Sequence, residues 1–162
     1  MEATTVDRDD TDRRIVVGID GSDGSLKALE WAAEQCRFTG GPLRAGIVWK
    51  YPIMYAYPVV WPDDVVFEAD ALHLLEDSVE KVLGSDAIGK IDLGVAEGHP
   101  SLVLCEESHG ASLIVVGSRG HGEFAGMLLG SVSEFLATHA ACPVVIVRDS
   151  NKFIQKGTRS HG

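Results

Sequence analysis

Residues 113–133 read LIVVGSRGHGEFAGMLLGSVS. Leu113, Ile114, Val115 and Val116 form the short apolar run expected of a buried parallel strand. Glycines punctuate the residues that follow, Gly117 to Gly130. Ser131 stands three residues before Glu134, the spacing of a capping box, so the pattern predicts a helix starting at Ser131. A strand, a glycine-rich loop and a helix N-terminus, in that order, aim backbone amides at an anion. A phosphate is the expected anion.

Outward from this stretch, the chain alternates regularly. Ile15 to Ile19 is a β-branched run that predicts a first strand, ending at the turn Asp20-Gly21-Ser22. A helix is predicted from about Ser22 to Phe38, with Leu26, Leu29, Ala33 and Cys36 on one face and Gly40-Gly41 as its stop. Leu43 to Trp49 reads as the second strand. Tyr51 to Pro62, YPIMYAYPVVWP, holds three prolines and four aromatic residues and is expected to be a loop. It either covers an apolar patch or forms a wall for a ligand or partner. Asp63 to Leu83 predicts an amphipathic helix with Val65, Ala69, Leu72, Leu75, Val79 and Val82 inward. Ile91 to Ala96 reads as the third strand, Pro100 opens a short helix that ends before Gly110, and Ser131 to Ala140 is the last helix. Val144 to Val147 is the fifth strand.

Strands and helices that alternate in this way imply an α/β fold: a single-domain, doubly wound, five-stranded parallel sheet with helices on both faces. Ligands of such sheets sit beyond the carboxyl ends of the strands, where the strand order reverses. If strands one and four are neighbours there, the turn at Asp20 and the loop at Gly117 face one crevice.

Composition narrows the function. The 162 residues are 45% hydrophobic and carry a net charge of −10. That balance speaks against a nucleic-acid partner, which needs a basic face. A single nucleotide remains possible, because local amides and one or two cations can hold its phosphates. No apolar run reaches the roughly eighteen residues of a membrane span, and the polar, acidic N-terminus has no signal-peptide core. A cytoplasmic location is therefore expected. Cys36, Cys105 and Cys142 are far apart and form no C-x-x-C pair, which predicts buried free thiols rather than a metal site or disulfides. Residues 1–13 read as a disordered arm and 149–162 as a flexible tail, flanking a domain at 14–148.

The glycines exclude several phosphate motifs. No G-K-[ST] occurs, so there is no P-loop. Ser118 lacks a glycine two residues before it, so there is no hydrolase elbow. Gly120 to Ala125 fits a loose G-x-G-x-x-A, but the dinucleotide fingerprint belongs to the first strand, directly before a helix. The run Asp20 to Ser25 lacks the paired glycines of a pyrophosphatase loop, and no H-x-G-H adenylyl-transfer pattern occurs.

What remains is Gly117-x2-Gly120-x9-Gly130-Ser131. This spacing resembles the signature of the ATP-binding branch of the universal stress protein family. Further likenesses are Ile15 to Ser22 (IVVGIDGS), Gly98-x-Pro100 and Ala141 to Val147 (ACPVVIV). Together they cover roughly residues 14–148. The resemblance implies a Rossmann-like, adenine nucleotide alpha hydrolase-like fold. It implies an ATP site made by Gly18, Ile19 and Asp20 at the first strand, with Val48 meeting the adenine through its backbone. Val116, Gly117, Arg119 and Gly120 would line the ribose and phosphates, and Gly130, Ser131, Val132 and Ser133 would hold the triphosphate. Mg²⁺ would accompany the nucleotide. It also implies a homodimer paired through Val144 to Val147. The span His121 to Leu129 would be ordered by the ligand.

Each of these residues also has a plainer role. Asp20 or Ser22 can cap the first helix, Ser131 can be an N-cap alone, and Ser133 can be a solvated first-turn serine. Arg119 and His121 are either counter-charges to phosphate or exposed loop residues. His73, His99, His109, His139 and His161 show no ligand spacing, and Glu76-Asp77 and Glu106-Glu107 read as solvated helix faces. With no acid–base pair and no activated nucleophile, the expected function is a cytoplasmic nucleotide-dependent regulatory module in stress response, hydrolysing ATP slowly at most. An ATP-using enzyme of the same superfamily and a nucleotide-free dimeric interaction module are the alternatives.

Overall fold

The computed structural model describes residues 13–51, 67–121 and 128–148. The expected N-terminal arm up to residue 12, the Tyr51–Pro62 loop beyond Tyr51, the helix start at Asp63 to Val66, the loop at 122–127 and the tail at 149–162 lie outside these residues.

Five parallel strands, β1 (Ile15–Ile19), β2 (Leu43–Trp49), β3 (Asp92–Glu97), β4 (Leu113–Gly117) and β5 (Val144–Val147), form one sheet in the order β3-β2-β1-β4-β5. Four helices connect them: α1 (Asp23–Thr39), α2 (Phe67–Leu83), α3 (Pro100–Glu107) and α4 (Ser131–His139). The fold is the expected doubly wound α/β sheet with helices on both faces. Sheet growth runs from β1 through β2 to β3, then jumps across β1 to β4 and β5. The reversal falls between β1 and β4, which pair Ile15 with Leu113 and Val17 with Val115.

The two-residue period of the strands sorts the core into two layers. Ile15, Val17, Ile19, Ala45 and Ile47 pack with Ala28, Leu29 and Ala32 of α1 and with Leu75 and Val79 of α2. On the opposite face, Val16, Ile114 and Val116 pack with Leu104 of α3 and Leu136 of α4. Fully buried Leu29, Leu75 and Leu136 each contribute about 1.5–3 kcal/mol of hydrophobic stabilisation. Partly exposed charge pairs such as Arg44 with Glu107 are worth about 0–1 kcal/mol. Burial therefore decides the layering, and the ion pairs refine it. Arg44 does so at the β3 edge: its Nε and Nη2 donate to Glu107 of α3 at 2.8 and 3.0 Å, and its Nη1 to Asp92 at 2.7 Å. The Glu107 hydrogen bonds hold the guanidinium pKa above its ordinary value against the opposing effect of burial.

Local signals account for most boundaries. Ser22 caps α1, its Oγ accepting from the Ser25 amide at 3.3 Å. Gly40 and Gly84 close α1 and α2 with positive φ, 71° and 88°, in the left-handed region that glycine tolerates. Some expectations are corrected. The inward face of α1 is Ser25, Ala28, Leu29, Ala32 and Ala33, continued by the half-buried Cys36, and of the expected residues Leu26 lies outside it. In α2, Leu72 is exposed; Ala71, Leu75, Ser78 and Val79 form the buried stripe. The run Leu72-His73-Leu74-Leu75 offers an apolar residue in several helical phases, and contact with the sheet selects Leu75. β3 starts at Asp92 rather than Ile91. Short 3-10 turns at Ser85–Ala87 and Ser108–Gly110, not anticipated from sequence, follow α2 and α3.

Candidate nucleotide site

At the strand reversal a cavity of about 370 Å³ opens beyond the carboxyl ends of β1, β2 and β4. Its size falls within the roughly 300–1,000 Å³ of small-molecule sites. All twelve residues singled out from sequence line it: Gly18, Ile19, Asp20, Val48, Val116, Gly117, Arg119, Gly120, Gly130, Ser131, Val132 and Ser133. Six described residues join them that were not in that set: Ser22, Ser25, Gly46, Pro100, Leu104 and His121. Gly46 had one visible signal, a glycine inside a strand at the same alternation as Val48. Leu104 had none, since an apolar helix residue reads simply as core.

The wall from β1 is organised by Asp20. Its Oδ1 accepts from the Ser22 amide at 2.9 Å and from the Ser22 hydroxyl, and its own amide donates to Ser25 Oγ at 3.4 Å. Asp20 therefore shapes the turn before α1, while Ser22 is the cap. Its Oδ2 faces Gly120, where an added Cβ would come within 2.5 Å of it. Gly120 thus lets the β4 loop run directly past the carboxylate. Gly117 has the same function one step earlier, because a Cβ there would lie 2.7 Å from the carbonyl carbon of Gly24. The first turn of α1 and the loop after β4 meet backbone to backbone.

The facing wall is the N-terminus of α4. The expected capping box does not form: Gly130, not Ser131, is the N-cap, and it makes no side-chain cap bond. The chain returning from the loop is pinned at Gly130 instead. The Gly130 amide donates to the Ser118 carbonyl at 2.6 Å, and the Gly130 carbonyl accepts from the Glu134 amide at 3.0 Å. Ser133 is buried rather than solvated, and its Oγ donates to the carbonyls of Ser118 and Gly130, both at 3.0 Å. Ser131 becomes the first helical residue and lies at the cavity. The opening amides of an α-helix have no intrahelical acceptor and sit at the positive end of its dipole. This wall suits an anion.

His121 links the two walls, its Nε2 donating to the Asp20 carbonyl at 2.7 Å. Val48, Pro100, Leu104 and Val116 supply an apolar part of the cavity lining. Among the described residues no group of three or more His, Cys, Asp or Glu side chains is placed to hold a metal ion. The three cysteines are free thiols, and burial pushes Cys36 and Cys142 above their ordinary pKa. His99 caps α3 without a side-chain bond to its amides; its Nδ1 instead meets Ser101 Oγ at 2.7 Å. No described helix is long and apolar enough to cross a membrane.

Comparison with known proteins agrees with this fold. The model of the Universal stress protein family matches residues 12–148. The chain is 34% identical over 141 residues to universal stress protein Rv2624c of Mycobacterium tuberculosis, covering 85% of this chain and 49% of the relative. It is 32% identical over 137 residues to universal stress protein Rv2623 of the same organism, covering 84% and 45%. The chain thus spans about half the length of these curated relatives. Among solved structures, it is similar to a universal stress protein in complex with cAMP, with 27% identity, a TM-score of 0.57, and coverage of 84% of this chain and 96% of that one. A universal stress protein from Archaeoglobus fulgidus matches with 27% identity and a TM-score of 0.56, covering 91% of this chain and 48% of that one.

Proposed function

The chain belongs to the universal stress protein family, and from this we propose that it binds ATP or another adenine nucleotide at the β1–β4 reversal and acts as a regulatory module in stress response. The observation that carries the reading is the convergence of the Asp20 turn, the Gly117–Gly120 loop and the α4 N-terminus on one cavity whose lining also includes the apolar Val48, Leu104 and Val116. That mixed lining suits a nucleotide, with the base against Val48 and Leu104 and the phosphates toward Gly130 and Ser131. The helix dipole adds about 0.3–1 kcal/mol, while micromolar binding needs about 8 kcal/mol. Base burial and direct hydrogen bonds must therefore supply most of the affinity. The similar structure solved with cAMP supports an adenine nucleotide as the ligand class.

Mg²⁺ fits this site as an ion carried by the phosphates. Asp20 is the one carboxylate among the described lining residues, too few ligands for a protein cage. When bound, the ion would neutralise phosphate charge. Hydrolysis is proposed to be slow at most. Asp20 Oδ1 accepts from Ser22 and His121 Nε2 donates to the Asp20 carbonyl, so both groups already serve the turn and the loop, which supports this reading. The three free thiols fit a reducing compartment, which supports a cytoplasmic location. We further propose a homodimer through β5, because β5 ends the sheet and its Val144 to Val147 edge needs a cover. Light scattering is expected to give twice the chain mass; a monomer mass at working concentration removes that part of the proposal.

Native mass spectrometry of gently purified protein is expected to retain an adenine nucleotide. Calorimetric titration with ATP, AMP and cAMP is expected to give micromolar binding for at least one of them. Failure of all three, with nothing co-purifying, would overturn the nucleotide reading and leave the interaction module.

A further inference from the structure

We propose that Gly46 is the specificity-determining residue of the cavity: the missing side chain on β2 is what admits the flat face of a bicyclic base. The inference rests on the adenine-nucleotide reading and adds a residue that neither the glycine signature nor the family resemblance pointed to.

Three glycines stand side by side across the sheet, Gly18 on β1 paired with Gly46 on β2, and Gly46 with Gly94 on β3. Their surroundings differ. A Cβ at Gly18 would meet Leu104 Cδ1 at 2.8 Å, so the space above β1 is already taken by α3. A Cβ at Gly94 would meet the Arg44 guanidinium at 2.5 Å, so the space above β3 is taken by that ion pair. At Gly46 no side chain comes within 4 Å, and the nearest atoms, the carbonyl oxygens of Gly94 and Val17, are 4.0 Å away in the sheet itself. The protein leaves the space above Gly46 empty, and that space belongs to the cavity.

Val48 shares the alternation of Gly46 on β2, and Leu104, Pro100 and Val116 line the same cavity, while the Arg44 guanidinium lies to the other side, over Gly94. Bare peptide planes edged by aliphatic side chains suit an aromatic ring laid flat, since glycine permits close approach and the aliphatic rim excludes water. Any side chain at position 46 would occupy the volume that the ring needs. Because an added Cβ would come no closer than 4.0 Å to the carbonyl oxygens of Gly94 and Val17, Gly46→Ala should spare the fold, and Gly46→Val is expected to extend into the same opening. A β-branched residue is even favoured in a strand. Ligand fit and stability are therefore separable at this position.

The test compares wild-type protein with Gly46→Ala and Gly46→Val by titration with AMP and ATP, alongside thermal unfolding without nucleotide. Gly46→Val is expected to bind both at least tenfold more weakly, and Gly46→Ala to fall between, with unfolding temperatures equal to or above the wild type. Wild-type affinity in a folded Gly46→Val overturns the inference. Should Gly46→Val not fold, the claim that its side chain meets open space fails, and a folded Gly46→Ala with unchanged AMP affinity overturns the specificity role as well. Absence of AMP and ATP binding by the wild type is a different result: it overturns the nucleotide reading on which the inference rests.

Discussion

His121 Nε2 lies 2.7 Å from the carbonyl oxygen of Asp20, joining the loop after β4 to the turn after β1 at the cavity. Because a carbonyl only accepts, the imidazole must carry a proton on Nε2. The bond spans 101 positions of sequence and fixes the separation of the two walls that a ligand would touch.

Removing that bond should loosen the site without unfolding the protein, because His121 is exposed and contributes no core contact. A net hydrogen bond is worth about 0.5–1.5 kcal/mol, so His121→Ala is expected to weaken ATP binding about two- to tenfold. Isothermal titration reads this directly. An unchanged dissociation constant would mean the walls hold their spacing without it.

Gly117→Ala should act on stability. Its new Cβ would press on the backbone of Gly24, which has no flexible end to yield. Overpacking of this kind costs about 1–3 kcal/mol. Urea unfolding is expected to show a lower midpoint at unchanged slope; a wild-type midpoint would show that the first turn of α1 moves aside freely.

Ser133→Ala is expected to cost about 0.5–1.5 kcal/mol and not more. Both carbonyls that accept from Ser133 Oγ keep a second donor, the Gly130 amide for Ser118 and the Glu134 amide for Gly130. Neither acceptor is stranded, so the larger penalty for an unsatisfied buried group does not apply. Chemical denaturation of the variant measures the difference, and a loss several times larger would contradict that hydrogen-bond assignment.

Burial raises the thiol pKa of Cys36 and Cys142 and so reduces their thiolate fraction at neutral pH. Both are expected to react with iodoacetamide more slowly in the folded protein than in urea, as followed by peptide mass spectrometry. Equal rates in the two states would count against burial as the controlling factor.

The architecture was legible because short, β-branched apolar runs such as Ile15–Ile19 and Leu113–Val116 alternate with longer helical patterns, and Gly40 and Gly84 mark helix ends by their own conformational freedom. The cavity residues were legible through the family resemblance that the Gly117-x2-Gly120-x9-Gly130-Ser131 spacing carries, and the glycines among them stand where backbone passes close to a neighbour. The phase of α2 was not, since Leu72, Leu74 and Leu75 satisfy a helical stripe equally until the sheet selects one. Nor was the cap of α4. Ser131 and Glu134 have capping-box chemistry, but the helix start is set by the Gly130–Ser118 hydrogen bond, made by residues distant in sequence order. Leu104 and His121 likewise acquire their places only when α3 and the β4 loop dock against β1.

The strand order has a consequence for synthesis. As the chain leaves the ribosome, β1, β2 and β3 can pair with one another while β4 is still unmade. The crevice cannot exist at that stage, because its second wall arrives with Gly117 and closes only with Ser133. A nascent chain stopped between β3 and β4 would hold the three strands that pair on one side of the reversal and no crevice, so occupancy would certify that the far side of the sheet has been completed.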